Sequence, residues 1–382
     1  MSQAPTLPPI IADWFASRGW APREHQLAVL GSYQCGANQL LIAPTGAGKT
    51  LAGFLPTLAD LVDGDFEGLH TLYISPLKAL AVDVQRNLST PIAEMGLPIR
   101  VEARTGDTSA AKRARQRVKP PQILLTTPEQ LALLISHPHA ELMFGTLRRV
   151  VLDELHALVT SKRGDLLALG IARLAKLAPD MRITALSATV ARPDLLRDWI
   201  AQPLPQRQTE LLRMIGGAPP ELAILQTEER LPWAGHSANY AHRELYEVIK
   251  RHKTTLLFVN TRSQAEMLFQ GLWDINEDML PIALHHGSLS VEQRRKVEAA
   301  MAAGRLKAVV CTSTLDLGID WGDVDLVVQV GAPKGSSRML QRIGRANHRL
   351  DDPSQALLVP SNRFEVLECE AAVEAVAEGH QD

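Results

Sequence analysis

The 382 residues are 46% hydrophobic and 21% charged, with a formal net charge of −2. That is the composition of a globular chain long enough for two ordinary domains. It excludes a chain that is basic overall, so any nucleic-acid surface must be local.

Cys35, Cys311 and Cys369 are odd in number and form no Cys-x-x-Cys pair. Free thiols in a reducing cytoplasm are the simplest account. The histidines lack ligand spacing with partners, no basic region precedes an apolar core at the N-terminus, and no apolar run is long enough to span a bilayer. The expectation is a cytoplasmic protein without a membrane partner.

In chain order, the first strand candidate is 40–42, followed by Ala43-Pro44-Thr45-Gly46-Ala47-Gly48-Lys49-Thr50 and a helix-like run from Leu51. A strand, a Gly-containing turn and a helix start point backbone N–H groups and the positive end of a helix dipole at one spot, where a phosphate fits. Lys49 would reach the β/γ-phosphates and Thr50 would ligate Mg²⁺. The strict pattern has Gly where this chain has Ala43. Strand candidates follow at 72–75, 123–126, 150–153 and 183–187, with a helix at 164–177. The run at 150–153 ends in Asp153-Glu154. A carboxylate at the carboxyl end of a parallel strand sits where open α/β sheets bind ligands. Asp153 is placed to hold Mg²⁺ and Glu154 to polarise the attacking water.

Turn formers crowd 202–205 and 216–220, before Leu231-Pro232-Trp233. Alternation then resumes with strands at 255–259, 282–285, 308–311, 326–330 and 356–359. The expected organisation is an ATP-binding domain over 1–205, a linker over 206–236 and a second α/β domain over 237–382. The last of these ends in an acidic, Ala-rich helix at 365–378 with nothing obvious to pack on. Gln341-Arg342-Ile343-Gly344-Arg345-Ala346-Asn347-His348-Arg349 crowds three arginines around one Gly, a pattern that suits an arginine finger. The basic run Lys112 to Arg117 reads as a solvated helix face, and Trp14, Trp199 and Trp273 as core packing.

Taken together, the ordered series resembles superfamily 2 helicases. It comprises Gln26 after Arg23-Glu24-His25, Ala43 to Thr50, Ser75-Pro76-Leu77-Lys78, Arg104-Thr105-Gly106-Asp107, Thr127-Pro128-Glu129 and Asp153 to His156. It continues through Ser187-Ala188-Thr189, Phe258 to Arg262, His286-Gly287-Ser288, Thr312 to Asp320 and Gln341 to Arg349. Within that superfamily the chain is most similar to the large helicase-related DEXH-box proteins, with the bacterial ligase-associated helicases as the nearest branch.

The resemblance implies two tandem RecA-like domains with ATP between them, each a mostly parallel sheet flanked by helices. It implies an ATP-dependent DNA helicase or translocase acting on single-stranded DNA, with a place in DNA repair beside other repair proteins. RNA as the substrate is the enzymatic alternative, and a non-catalytic, ATP-responsive nucleic-acid-binding module is the other. Carried over residue by residue, Gln26 would read adenine. Thr45, Gly46, Gly48, Lys49 and Thr50 would hold phosphates and Mg²⁺, while Gly318 and Asp320 would approach the nucleotide. Ser187, Thr189 and Gln341 would couple hydrolysis to motion. Arg345 would be the finger in preference to Arg349. The strand would lie along Pro76, Lys78, Arg104, Gly106, Thr127, Pro128, Asn260, Arg262, Gly287, Ser288 and Thr312. A monomer is the favoured state. Members of the group continue into further domains, for which the acidic helix reads as a docking face.

Overall fold

The computed structural model describes residues 5–44, 46–214, 219–316, 324–346 and 353–378. Two compact units are present. The first is built on a seven-stranded sheet. Its strands are β1 (Asn38–Ile42), β2 (Thr71–Ile74), β3 (Val101–Ala103), β4 (Ile123–Thr126), β5 (Arg149–Leu152), β6 (Arg182–Ser187) and β7 (Thr209–Arg213). Their order across the sheet is β3-β4-β2-β5-β6-β1-β7, and every pairing is parallel.

Strands β1, β2, β4 and β5 are buried at every residue, as a parallel sheet with helices on both faces requires. Leu40, Leu72, Leu124, Val150 and Ile183 project into one core with Leu167, Ile171 and Leu174 of the helix Lys162–Leu177. Full burial of each such side chain contributes about 1.5–3 kcal/mol. That helix begins where Ser161 accepts a hydrogen bond from the Gly164 N–H at 3.3 Å.

The second unit holds a six-stranded sheet of order β10-β11-β9-β12-β13-β8, again parallel throughout. Its strands are β8 (Glu221–Ile224), β9 (Thr255–Phe258), β10 (Ile282–His285), β11 (Ala308–Cys311), β12 (Leu326–Val330) and β13 (Gln355–Val359). Leu257, Val310 and Val328 face one core, while Leu256, Phe258, Val309 and Val327 face another. The α/β reading therefore holds for both units. No helix among the described residues is long and apolar enough to cross a membrane.

Three strands were not expected from the sequence: β3, β7 and β8. Each closes an edge of its sheet. An edge strand has one unpaired side and needs no continuous apolar run, and all three are half-buried or exposed at most positions. Two of them, β7 and β8, fall inside 206–236, so the stretch read as linker supplies an edge to each sheet.

The terminal helix Arg363–Ala377 also differs from expectation. Cys369 is fully buried, and Val373 packs beside it, against Met339, Ile343, Ala356 and Leu358 of the same unit. Its apolar face is thus covered from within the chain. Phe364 and Leu367 stay exposed. Trp273 is not core: it is 52% exposed and stacks on Phe269 with centroids 5.8 Å apart. It lies on the outer side of the helix Arg262–Asp274, whose buried face is filled by Ala265, Leu268 and Leu272.

Candidate active site

The carboxyl end of β1 delivers the chain into the turn at 43–48 and then into the helix Lys49–Asp60. Gly46 and Gly48 have φ of 78° and 77°, a region that costs other residues about 1–2 kcal/mol. A Cβ on Gly48 would also lie 3.1 Å from Gln26 Nε2. Gly48 is the helix N-cap and supplies no side-chain hydrogen bond to the first turn. The first-turn N–H groups therefore face the space where an anion would sit. Lys49 is buried, and its Nζ donates to Ala43 O at 2.8 Å. Thr50 is half-buried beside it. Thr45 lies outside the described residues.

Gln26 is buried on the helix Glu24–Gln34, and its Oε1 accepts the Arg23 N–H at 2.9 Å, closing that helix's own first turn. Its amide nitrogen is left next to Gly48, which brings the predicted adenine reader and the phosphate turn together.

Asp153 follows β5 and is buried. Its carboxylate accepts the Tyr73 hydroxyl, and its Oδ1 accepts the Glu154 N–H at 2.9 Å. Burial first, and the neighbouring Glu154 charge second, push the Asp153 carboxyl well above the usual carboxylate range. Burial first, and the same carboxylates after it, raise the Tyr73 phenol. Glu154 has φ of 48°, a left-handed conformation for a residue with a Cβ, and caps the short helix Leu155–Val159. Strain of this kind collects at functional sites.

His156 joins two predicted motifs. Its Nδ1 accepts the Ala188 N–H at 3.3 Å and lies 3.0 Å from Ser187 Oγ, while its Nε2 sits 3.5 Å from Glu154 Oε2. Burial lowers its pKa against the opposing pull of the Glu154 charge. Ser187 is buried at the end of β6, whereas Thr189 is exposed. His156 and Tyr73 were not singled out from the sequence. Position 156 in the acidic motif was the available signal for the first, but nothing marked the second.

The donor set suits a nucleotide with a hard cation. Oxygen is the only ligand type offered by Thr50 and Asp153. No group of three or more His, Cys, Asp or Glu side chains that could hold a metal occurs among the described residues. A cation here would take one or two protein oxygens and fill its shell from phosphate and water, which is the habit of Mg²⁺.

The other predicted residues of the first unit divide by exposure. Lys78 and Gly106 are exposed and adjacent, and Lys78 Nζ lies 3.3 Å from Asp107 Oδ1. Pro76, Thr127 and Pro128 are buried at strand ends. Arg104 is turned inward: it is 4% exposed and donates to Arg113 O at 3.0 Å. Burial, with Arg117 and Arg113 beside it, brings its pKa down to about 10. Arg113 in turn donates to Thr105 O at 3.2 Å. Arg104 therefore shapes the 104–107 loop instead of lying on its surface as expected, because a long side chain under a turn finds backbone carbonyls to satisfy.

In the second unit, Asn260 Nδ2 donates to Ala332 O at 2.9 Å. Arg262 is exposed at the start of its helix, after the Thr261 cap. Gly287 and Ser288 are exposed after β10, and Thr312 is buried after β11. His285 links the two strand ends, its Nδ1 lying 2.9 Å from Thr314 Oγ1.

Arg342, passed over in the sequence, is the buried anchor of the arginine block. Its Nε donates to Asp316 Oδ1 at 2.8 Å and a further nitrogen donates to Oδ2 at 3.3 Å. Another nitrogen donates to Gln329, and the guanidinium lies 4.7 Å from the Phe258 ring centre. Arg345 is buried one turn later, and Gln341 is half-buried. Gly318, Asp320 and Arg349 lie outside the described residues.

Residues 23–196 match the DEAD/DEAH box helicase family and residues 240–349 the helicase conserved C-terminal domain. The chain is 36% identical, over 96% of its length, to a protein of Mycolicibacterium smegmatis described as Lhr helicase/ probable uracil glycosylase, of which it covers 27%. It is likewise 36% identical, over 98% of its length, to the ATP-dependent helicase Lhr-Core of Methanothermobacter thermautotrophicus, covering 46% of that protein. The chain thus spans less than half the length of these relatives. Among solved structures, the Mycobacterium smegmatis helicase Lhr bound to ssDNA and AMP-PNP matches with a TM-score of 0.87 at 36% identity, covering 98% of this chain and 50% of that one. The DEAD-box helicase Mss116 bound to ssRNA and UDP-BeF matches at 19% identity with a TM-score of 0.79, covering 92% of this chain and 73% of that one, and shares the fold. The two parallel sheets are accordingly tandem RecA-like units, and the chain belongs to the DEAD/DEAH box helicase family, among its Lhr-like members.

Proposed function

We propose that this chain hydrolyses ATP in response to single-stranded DNA and uses the cycle to move along the strand. The observation that carries this reading is the Glu154–His156–Ser187 arrangement behind the phosphate turn. A strained carboxylate lies 3.5 Å from an imidazole nitrogen whose ring is fixed through its other nitrogen by the next strand end.

The roles follow from the geometry. The turn at 43–48 and the first N–H groups of its helix bind the phosphates, and Lys49 neutralises them. Gln26 reads the adenine edge. Thr50 and Asp153 hold Mg²⁺, which supplies charge neutralisation of the phosphates when bound. The raised Asp153 carboxyl fits this role, since an adjacent cation favours its ionised form. Glu154 orients the attacking water and accepts its proton, with the His156 N–H aiming the carboxylate. Ser187 and Thr189, reached through His156, pass the state of this site to the rest of the chain, with Gln341 as their counterpart in the second unit. Arg345 stabilises charge developing on the γ-phosphate, with Gly318 and Asp320 near the nucleotide.

The exposed Lys78, Gly106, Arg262, Gly287 and Ser288, with the loop at Thr127-Pro128, take the strand through its phosphates, so sequence preference is slight. Support for DNA comes from the ssDNA-bound relative at 36% identity. A monomer working in the cytoplasm, in DNA repair beside other repair proteins, is the setting we propose for it.

The test is steady-state ATP turnover with no strand, with single-stranded DNA and with single-stranded RNA. Stimulation by DNA supports the reading, and stimulation by RNA alone moves the substrate to the alternative. Turnover absent under all three conditions leaves only a binding module. Strand affinity is also expected to fall linearly with salt on logarithmic axes, with a slope of about −0.7 per phosphate contact. Lys78→Ala and Arg262→Ala each flatten that slope by less than about one unit, Lys78→Ala the less because Asp107 already shares its charge. Fluorescence anisotropy across a salt series measures this, and an unchanged slope in both variants removes these residues from the strand path.

A further inference from the structure

One ion pair of the first unit lies outside the machinery assigned above, yet it joins two of its parts. Glu129 comes directly after Thr127-Pro128, in the first turn of the helix Pro128–Ile135. Arg163 is in the first turn of the helix Lys162–Leu177. Arg163 Nε donates to Glu129 Oε1 at 2.5 Å and Nη2 donates to Oε2 at 3.1 Å, the fork-on-fork geometry that fixes direction as well as distance. Partial burial works to raise the Glu129 carboxyl, but hydrogen bonds from Arg163, from its own backbone N–H and from the Thr127 side chain outweigh it and hold the pKa down to about 2.

The Arg163 end of this pair is stiffly connected to the acidic motif. Glu154 caps the helix Leu155–Val159. Ser161 Oγ donates to Leu158 O at 2.7 Å, and a Cβ on Gly164 would fall 2.3 Å from Leu158 O. The two helices therefore meet backbone to backbone, without a flexible side chain between them. A displacement of the loop at Thr127-Pro128 reaches Arg163 through one bidentate pair and Glu154 through one rigid joint. The side chains are 39% and 47% exposed, so solvent screens the pair and breaking it spares the fold.

We propose that Arg163 is a positioning residue that couples strand engagement at Thr127-Pro128 to the placement of Glu154. This rests on the reading that this loop meets the strand and that Glu154 activates water.

The test uses Arg163→Met, Glu129→Gln and the exchanged pair Glu129→Arg with Arg163→Glu, each in the full chain. Basal ATP turnover, turnover at saturating oligo-dT, oligo-dT affinity and the melting temperature are measured. Both single variants are expected to keep basal turnover and melting temperature. Their strand-stimulated kcat falls by about threefold to tenfold, with a smaller change in oligo-dT affinity, and the exchanged pair recovers most of the stimulation. Wild-type stimulation in both single variants overturns the proposal. So does an equal loss of basal and stimulated turnover, which marks a merely structural pair, or an exchanged pair no better than the singles. Failure of the underlying reading shows itself separately, as an unmutated chain that no strand stimulates, and takes the proposal with it.

Discussion

Glu154→Gln stops ATP turnover while nucleotide continues to bind. The substitution keeps the length, shape and hydrogen-bonding reach of the side chain, and it leaves the backbone in the same left-handed conformation. What it removes is the ability to take a proton. General-base assistance contributes about 10²–10⁴ in rate, so kcat is expected to fall by that factor while the nucleotide dissociation constant stays within a few-fold. Stability moves the other way. Asp153 is buried beside Glu154, and the second carboxylate makes its ionisation more costly. Removing that neighbouring charge relieves the repulsion, so the nucleotide-free variant melts no lower than the parent chain. Loss of turnover with retained or raised melting temperature separates a catalytic defect from a folding one. Turnover at the parental rate would end the base assignment.

The two buried arginines of the block at 341–349 are expected to fail in different ways. Arg345→Ala lowers kcat by about 10²–10⁴ with a smaller change in ATP affinity, because it removes charge needed mainly in the transition state. A guanidinium already stripped of water acts on developing charge more strongly than an exposed one, and Arg345 is 4% exposed. Arg349→Ala costs less. Arg342→Ala acts through the fold: Asp316 is left buried without its bidentate partner. Leaving a buried charge wholly uncompensated costs about 3–5 kcal/mol, and Arg338, 3.7 Å from Asp316 Oδ2, offsets part of that. Urea unfolding of the two variants beside ATP turnover distinguishes them. An Arg342→Ala chain of parental stability would show that Arg338 suffices as the counter-ion of Asp316. An Arg345→Ala chain of parental kcat would remove the finger.

Strand interiors and the loops after them were legible in the sequence. Ten apolar runs mark ten strands, nine of them interior and one, β10, at an edge, because a parallel sheet covered on both faces demands such runs. The phosphate turn and the acidic motif were legible for a related reason: each is punctuation at the end of one of those runs. What escaped was decided by neighbours distant in the chain. The edge strands β3, β7 and β8 take their conformation from one partner and carry mixed residues. Arg104 and Arg342 look like surface arginines until a carbonyl at 113 and a carboxylate at 316 are placed beside them. The terminal helix had no visible partner because its apolar face is filled jointly by the preceding helix and strand β13 and by the far more distant β8. His156 stood in the quoted motif, but its contact with Ser187 spans 31 residues.

The position of β1 has a consequence for how the chain is made. This strand, which leads directly into the phosphate turn, is flanked by β6 and β7. Thr184 donates to Gln39 across 145 residues of sequence, and Ile42 stands opposite Arg213. On a ribosome adding about 5–20 residues per second, β1 waits on the order of ten to thirty seconds for its second neighbour. Until β6 emerges this buried strand has no partner, and until β7 emerges one of its edges stays open. The nascent chain is at its most vulnerable to aggregation and chaperone capture during that interval.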